Sequence, residues 1–143
     1  MNMKTFPRFG LDLPKDWQDQ TVYYFVGPEV KGVPHLLTVM LDRKPTEKDL
    51  ESFARKRIEI QIEATSGAEV LKDEALTLPS GKEAHELVCR WIPSDDNIIF
   101  KKTVYLIHEG IGYTFAIDFS KQSLKTIGLE VMAIIDSLTS LDS

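Results

Sequence analysis

Apolar and polar residues alternate with a period of two along most of this chain, which is typical of strands with one buried face. Residues 9–13 alternate and stop at Pro14, and residues 21–26 are a β-branched and aromatic run that ends at Gly27 and Pro28. Further segments carry the same signal, and residues that favour turns separate them. The predicted strands are residues 9–13, 21–26, 36–41, 69–78, 82–92, 98–108 and 112–119.

The period changes to that of a helix at two places. After Thr46, apolar residues recur at helical spacing, which predicts a helix over about residues 47–63 with Thr46 as its N-cap. A second apolar stripe runs as far as Leu138, and Ser120 is its predicted cap. Gly128 lies on that stripe. Because a glycine inside a helix costs about 1 kcal/mol relative to alanine, Gly128 predicts a close approach of this helix to another backbone.

The order of these elements, βββαββββα, predicts an α+β fold: a large, twisted antiparallel sheet of six to seven strands packed with two helices. Short turns between the later strands indicate antiparallel neighbours. Residues 1–143 contain no visible repeat or linker, so one domain is expected. Two helices of roughly 25 Å can cover most of one face of such a sheet. Part of the second face must therefore find a partner or stay polar.

Composition narrows the choice of partners and compartment. The net charge of -5 leaves no basic surplus for a phosphate backbone, so nucleic acid is not an expected partner. The single cysteine, Cys89, cannot form an intramolecular disulfide, which fits a reducing compartment. The longest apolar runs, residues 22–26 and 131–135, are too short to span a bilayer, and residues 1–8 lack the apolar region of a signal peptide. A cytoplasmic protein without stable membrane insertion is expected.

The histidines and the cysteine, residue types that often carry catalysis, are not arranged here as in a catalytic or metal site. His35, His85 and His108 are on separate predicted strands without metal-ligand spacing, and Cys89 lies mid-strand without a helix N-terminus to lower its pKa. Residues 95–97 are best explained as a hairpin turn. We therefore predict no catalytic residue, no metal ligand and no cofactor, and hence a protein that is not an enzyme.

Two features suggest a binding surface instead. The consecutive aromatic residues Tyr23, Tyr24 and Phe25 place large apolar groups on both faces of a sheet, although such a run is also common in strand cores. The basic run at residues 55–57 lies on the first predicted helix. There it either solvates the exposed face or turns Arg57 toward a groove.

Residues 11–25, with the sequence LDLPKDWQDQTVYYF, resemble the opening of the DcrB-like family, whose members share the PsbP-like fold. Within that family the chain is similar to the Eag-type chaperones in length and opening motif. Those chaperones are homodimers that bind the transmembrane segments of type VI secretion effectors before export. The resemblance therefore implies a homodimer that holds an apolar protein segment on one sheet face. The implied binding residues are Val22, Tyr24, Met40, Arg57, Gln61, Ile98 and Thr103.

The leading hypothesis is a non-enzymatic chaperone or adaptor that shields apolar segments of a secreted effector. One alternative is a small-molecule carrier or enzyme with a pocket between sheet and helices, where Arg57, Asp118 or a histidine is the polar anchor. A further alternative is an oligomeric assembly subunit whose sheet mediates association.

Overall fold

A computed structural model of the chain describes residues 3–6, 9–17, 20–94 and 97–139. The strands and helices succeed one another along these residues much as the apolar pattern predicts. In chain order they are β1 (Met3–Phe6), β2 (Phe9–Asp12), β3 (Val22–Val30), β4 (Val33–Asp42), α1 (Leu50–Ala64), β5 (Glu69–Thr77), β6 (Glu83–Ser94), β7 (Asn97–His108), β8 (Ile111–Phe119) and α2 (Ile127–Asp136).

Strands β3 to β8 form one six-stranded antiparallel sheet in the order β3-β4-β8-β7-β6-β5. Strands β1 and β2 pair with each other in a separate two-stranded sheet. The α+β class, the antiparallel sheet and the order of its helices confirm the prediction from the sequence. The predicted hairpin at residues 95–97 falls partly outside the described residues, since Asp95 and Asp96 are not among them; Ser94 and Asn97 on either side are paired.

The two helices lie on opposite faces of the sheet. Helix α1 buries Phe53, Ala54 and Ile58 against residues such as Leu87 and Tyr105, and this face is called the α1 face below. Helix α2 packs on the other face, called the α2 face. Because alternate residues of a strand point to opposite faces, β6 and β7 supply apolar groups to both helices. The buried cluster under α2 contains Leu37, Val39, Leu78, Ala84, Val104, Leu106, Phe115, Ile117, Phe119, Ile127, Val131 and Ile135.

The predicted helix starts are both too early. Helix α1 begins at Leu50, and its N-cap is Asp49, whose carboxylate accepts a hydrogen bond from the Ser52 amide at 2.7 Å. Helix α2 begins at Ile127, because Ser120 and Ser123 hydrogen-bond to each other's backbone and form turns. Short polar side chains often offer the backbone such local partners in place of a helix.

The expected close backbone approach at Gly128 is wrong. A Cβ atom built there would meet no heavy atom within 4 Å. The crowded glycine is Gly112 in β8, where an added Cβ would lie 2.3 Å from the Cε1 atom of Phe53. This close approach lets the ring of Phe53 seat helix α1 on the sheet.

Candidate functional site

Helix α1 lies over β6 and β7, with Phe53 above the start of β8, and this leaves the β3 and β4 end of the α1 face uncovered. Alternate residues of β3 and β4 pair across that end in the register Val22–Met40, Tyr24–Thr38 and Val26–Leu36. The apolar members of these pairs are between 39% and 80% exposed. We call this surface the open floor, defined as Val22, Tyr24, Val26, Leu36 and Met40. Contiguous apolar surface of this kind is typical of a binding site.

A groove separates the open floor from helix α1. Its deeper part is a cavity of about 500 Å³, with Val22 and Met40 on one side and Arg57, Ile60 and Gln61 of α1 on the other. Ile60 contributes an exposed apolar side chain to the helix wall. The groove therefore has an apolar floor and a helix wall in which Ile60 lies between the polar side chains of Arg57 and Gln61, and ligand-binding clefts usually combine apolar lining with placed polar groups in this way.

A second cavity of about 380 Å³ adjoins the C-terminal end of α1, and Gln61 lines both cavities. Trp91 and Ile99 supply its apolar lining. Lys101 and Asp118 lie at the same cavity, where the lysine Nζ is 3.9 Å from the aspartate Oδ1. The two cavities therefore follow the C-terminal half of α1, from Arg57 to Ala64.

The guanidinium of Arg57 turns toward the groove and is fully paired there. Its Nη2 lies 2.9 Å from Asp42 Oδ2, and its Nη1 lies 2.8 Å from Glu47 Oε1 and 3.0 Å from the Phe53 carbonyl oxygen. The guanidinium carbon also stacks 3.7 Å from the centroid of the Phe53 ring. Hydrogen bonds from Thr46 and Arg57 lower the pKa of Glu47 to about 2. Because both carboxylates neutralise it, Arg57 does not present an unpaired cation to an apolar ligand.

Gln61 is the second polar group of the helix wall. Its side-chain oxygen accepts hydrogen bonds from the Tyr105 hydroxyl at 3.3 Å and the Thr103 hydroxyl at 3.4 Å. Burial raises the pKa of Tyr105, so this hydroxyl remains a donor. The side-chain amide of Gln61 is thereby oriented from below by buried groups.

The structure brings six of the seven predicted binding residues to the α1 face. Val22, Tyr24 and Met40 belong to the open floor, Arg57 and Gln61 form the wall, and Thr103 lies buried beneath Gln61. The exception is Ile98.

Ile98 lies elsewhere because of strand alternation. Its neighbour Ile99 lines the cavity at the end of α1, so the side chain of Ile98 points to the α2 face. Sequence reasoning also missed Val26, Leu36 and Ile60. Val26 could have been predicted from the sequence, because it continues the alternation of Val22 and Tyr24. Ile60 could not, because only the packing of α1 identifies it as a wall residue.

The remaining reactive side chains have structural partners. His35 is buried, with Nδ1 2.9 Å from the Pro28 carbonyl oxygen and Nε2 2.8 Å from Ser123 Oγ. Burial raises the pKa of the Cys89 thiol, which disfavours the nucleophilic thiolate. Over the described ranges, no three His, Cys, Asp or Glu side chains converge as a metal site would require. No helix in that part of the chain is long and apolar enough to cross a membrane.

Solved structures share this architecture. The crystal structure of PA94, a protein of unknown function from Pseudomonas aeruginosa, has a TM-score of 0.71 at 13% identity and covers 99% of this chain and 97% of that chain. The solution structure of cyanobacterial PsbP (CyanoP) from Synechocystis sp. PCC 6803 has a TM-score of 0.52 at 16% identity, covering 92% and 81%. At these identities the likeness shows the fold alone, which is PsbP-like.

No curated protein matches the sequence significantly. The sequence profile of the DcrB family matches residues 10–123, which include the open floor, helix α1 and both cavities. This match confirms the family resemblance of the opening segment. The chain therefore belongs to the DcrB family.

Proposed function

We propose that this protein is a non-enzymatic binding protein that shields an apolar segment of a partner protein in the groove between α1 and the open floor. The observation that carries the proposal is the open floor itself: five neighbouring apolar side chains that the chain's own helices leave uncovered.

The energetics favour an apolar occupant. Fully burying a large aliphatic or aromatic side chain is worth about 1.5–3 kcal/mol, so covering five half-exposed ones contributes on the order of 5 kcal/mol before the costs of association. Any apolar surface that the ligand buries adds to this sum. A hydrophobic helix gains most, because in water it exposes apolar groups on all sides.

The polar groups of the groove suit a helix better than a charged ligand. Arg57 is already neutralised by Asp42 and Glu47, so it adds no net attraction for an anion and no unpaired charge against apolar surface. Gln61 can satisfy a hydroxyl or amide of a bound segment. Interhelical contacts of this kind accompany helix packing in membranes, and the groove would replace them in water.

The family resemblance supports a more specific proposal. The opening segment is similar to that of the Eag-type chaperones, which implies that the bound segment is a transmembrane helix of a type VI secretion effector. It likewise implies that the protein acts in the cytoplasm as a homodimer. Because Arg57 is paired with Asp42 and Glu47, it does not place an unpaired cation against an apolar segment at this position.

A binding assay with a defined probe tests the shielding role. The probe is a fluorescent 20-residue Leu–Ala helix with flanking lysines, titrated at 0.15 M salt and followed by anisotropy. Val26→Asp places a charge on the open floor at a residue that is 80% exposed. Leu129→Asp is the matched control, since Leu129 is 73% exposed and lies on α2, away from the floor.

We expect Val26→Asp to weaken binding at least about tenfold, because the new carboxylate must be desolvated, while Leu129→Asp binds like the wild type. Equal loss in both variants, or no binding by the wild type, contradicts the shielding role. Once a candidate effector is available, capture should disappear when its transmembrane segments are deleted. Equal capture of both forms also rejects the proposal.

The cavity at the end of α1 favours one second candidate, a small-molecule carrier. Its volume of about 380 Å³ and its Trp91, Lys101 and Asp118 side chains would fit an apolar ligand with a polar end. A thermal-shift screen against metabolites tests this alternative. A ligand present at 100 times its dissociation constant should stabilise the fold by about 2.7 kcal/mol.

A further inference from the structure

The two outer strands of the six-stranded sheet differ in charge. Strand β5 carries Glu69, Lys72, Asp73 and Glu74, whereas β3 carries no charged residue over residues 22–28. Charged side chains on an edge strand oppose pairing with another sheet, and proteins use them for that purpose. Strand β3 lacks this protection along residues 22–27, and Pro28 and the charged Glu29 follow only near its end.

Strand β3 also exposes apolar side chains on both faces. Val22, Tyr24 and Val26 lie on the α1 face, and Tyr23 and Phe25 lie on the α2 face with their rings stacked 6.3 Å apart. A ligand in the groove would cover only the side chains on the α1 face. An occupant that covers both sets must approach along the edge and present apolar groups above and below, as a β-strand does.

We propose that a second copy of this chain pairs its β3 antiparallel with this β3, about a two-fold axis that is normal to the sheet and lies midway between the two copies of Tyr24. This inference deepens the homodimer of the proposed function and rests on it, because it assigns the interface of that dimer. The occupant is a second copy because the uncharged run is self-complementary: no like charges oppose its pairing with itself.

The register follows from the faces of the sheet. Opposed residues in an antiparallel pair share a face, so an axis normal to the sheet must lie midway between the two opposed copies of one residue. An axis at Tyr24 uses all of residues 22–26, pairing Val22 with Val26 and Tyr23 with Phe25 of the second copy. The pairing ends where the register of β3 shifts after Gly27, next to Pro28, which has no amide hydrogen to donate.

Such a dimer changes the size of the site. On the α1 face, strands β3 and β4 and the part of β8 around Ala116, which Phe53 does not cover, span about 14 Å at about 4.8 Å per strand. Two copies joined at β3 place both α1 faces on the same side and give a floor of about 29 Å between two α1 walls. A helix of 20 residues is about 30 Å long, so it can lie across the joined floor but not across a single one.

The oligomeric state of the protein alone, without any bound segment, tests the interface. We expect a dimer by light scattering coupled to size exclusion. Tyr24→Lys should raise its dissociation constant at least about tenfold, because two like charges then face each other at the axis. Leu71→Lys on the opposite edge is the matched control and should leave the dimer intact. Both residues are exposed, and circular dichroism checks that each variant is folded.

Disulfide cross-linking tests the register. Tyr24→Cys should cross-link, because opposed residues in an antiparallel pair lie within disulfide reach. Val26→Cys should not, because the two copies of that residue lie about 13 Å apart along the strand direction. The buried Cys89 of the wild type serves as the uncross-linked reference.

A monomer, an unaffected Tyr24→Lys dimer, or equal cross-linking at both positions overturns the interface. All of these measurements are made without the helix probe. A failure of the interface is therefore distinguishable from a failure of the shielding role.

Discussion

Replacing Gly112 with alanine tests how helix α1 is seated on the sheet. The added Cβ would lie 2.3 Å from Cε1 and 2.5 Å from Cζ of Phe53, distances that real Cβ contacts do not reach. Phe53 is fully buried, and its ring supports the guanidinium of Arg57 at 3.7 Å. The ring must therefore move away from the sheet. Helix α1, which forms the wall of the groove, must move with it.

The expected cost follows from known effects of overpacking. Forcing extra methyl groups into a packed core destabilises by about 1–3 kcal/mol, whereas Gly→Ala in an unstrained strand gains about 0.5–1 kcal/mol. We expect a net loss of about 1–2 kcal/mol, or roughly 3–6 °C in the melting temperature of a chain of this size. Affinity for the helix probe should fall as well, since Arg57 loses its supporting ring.

Thermal and urea unfolding measured by circular dichroism provide the assay. Gly27→Ala is the matched control, because its Cβ would lie 3.6 Å from His35 Cβ, an ordinary contact. Phe53→Leu should be less destabilising in the Gly112→Ala background than in the wild type, and the double-mutant cycle measures this coupling. A Gly112→Ala variant as stable as the wild type, or the absence of coupling, refutes the reasoning.

Further predictions concern polar contacts. Ser123→Ala should destabilise by about 1–3 kcal/mol, because it leaves Nε2 of the buried His35 without its partner; urea unfolding measures it. Asp49→Ala should lose about 1 kcal/mol of stability, since the Ser52 amide loses its cap. The pKa of Glu47 falls from 4.5 unfolded to about 2 folded, so its contribution is complete above pH 4.5 and disappears as pH falls toward 2. Glu47→Gln should therefore flatten the loss of stability with acid over that range.

Each of these predictions has a clear counter-result. Asp49→Asn keeps a capping group and should stay near the wild type, so an equal loss in both variants contradicts the cap. Ser123→Thr retains the hydroxyl that contacts His35 and should stay near the wild type. An equal loss of stability in Ser123→Ala and Ser123→Thr therefore contradicts the role of this contact. For Glu47, acid unfolding curves that run parallel in the wild type and the glutamine variant contradict the assigned pKa.

The parts of the fold that sequence reasoning reached are those with a local cause. Alternation along β3, β6 and β8 depends on neighbouring residues, and it predicts the sheet, whereas the family was recognised from the motif at residues 11–25. Three of the open-floor residues, Val22, Tyr24 and Met40, were predicted from the resemblance of the opening segment to the Eag-type chaperones. The helix starts were wrong because Thr46 and Ser120 are plausible caps by residue type, whereas the observed cap of α1 is Asp49 and Ser120 forms a turn with Ser123.

Other properties could not be predicted because they depend on residues far apart in the chain. The pairing of Arg57 with Asp42 and Glu47 joins a strand end, a loop and a helix. The side of the sheet to which Ile98 points depends on the strand register set by β6 and β8. The crowding at Gly112 exists only once α1 is placed above β8.

The sequence by itself determined an α+β chain with an antiparallel sheet, two helices and more apolar sheet surface than those helices can cover, because periodicity and helix length are local quantities. Only the tertiary structure decided that one helix lies on each face and that the uncovered area is therefore the β3 and β4 end of the α1 face. Strands β6 and β7 are apolar on both sides, so either face could accept either helix. The packing of Phe53 against Gly112 and of α2 against the opposite cluster resolves that choice.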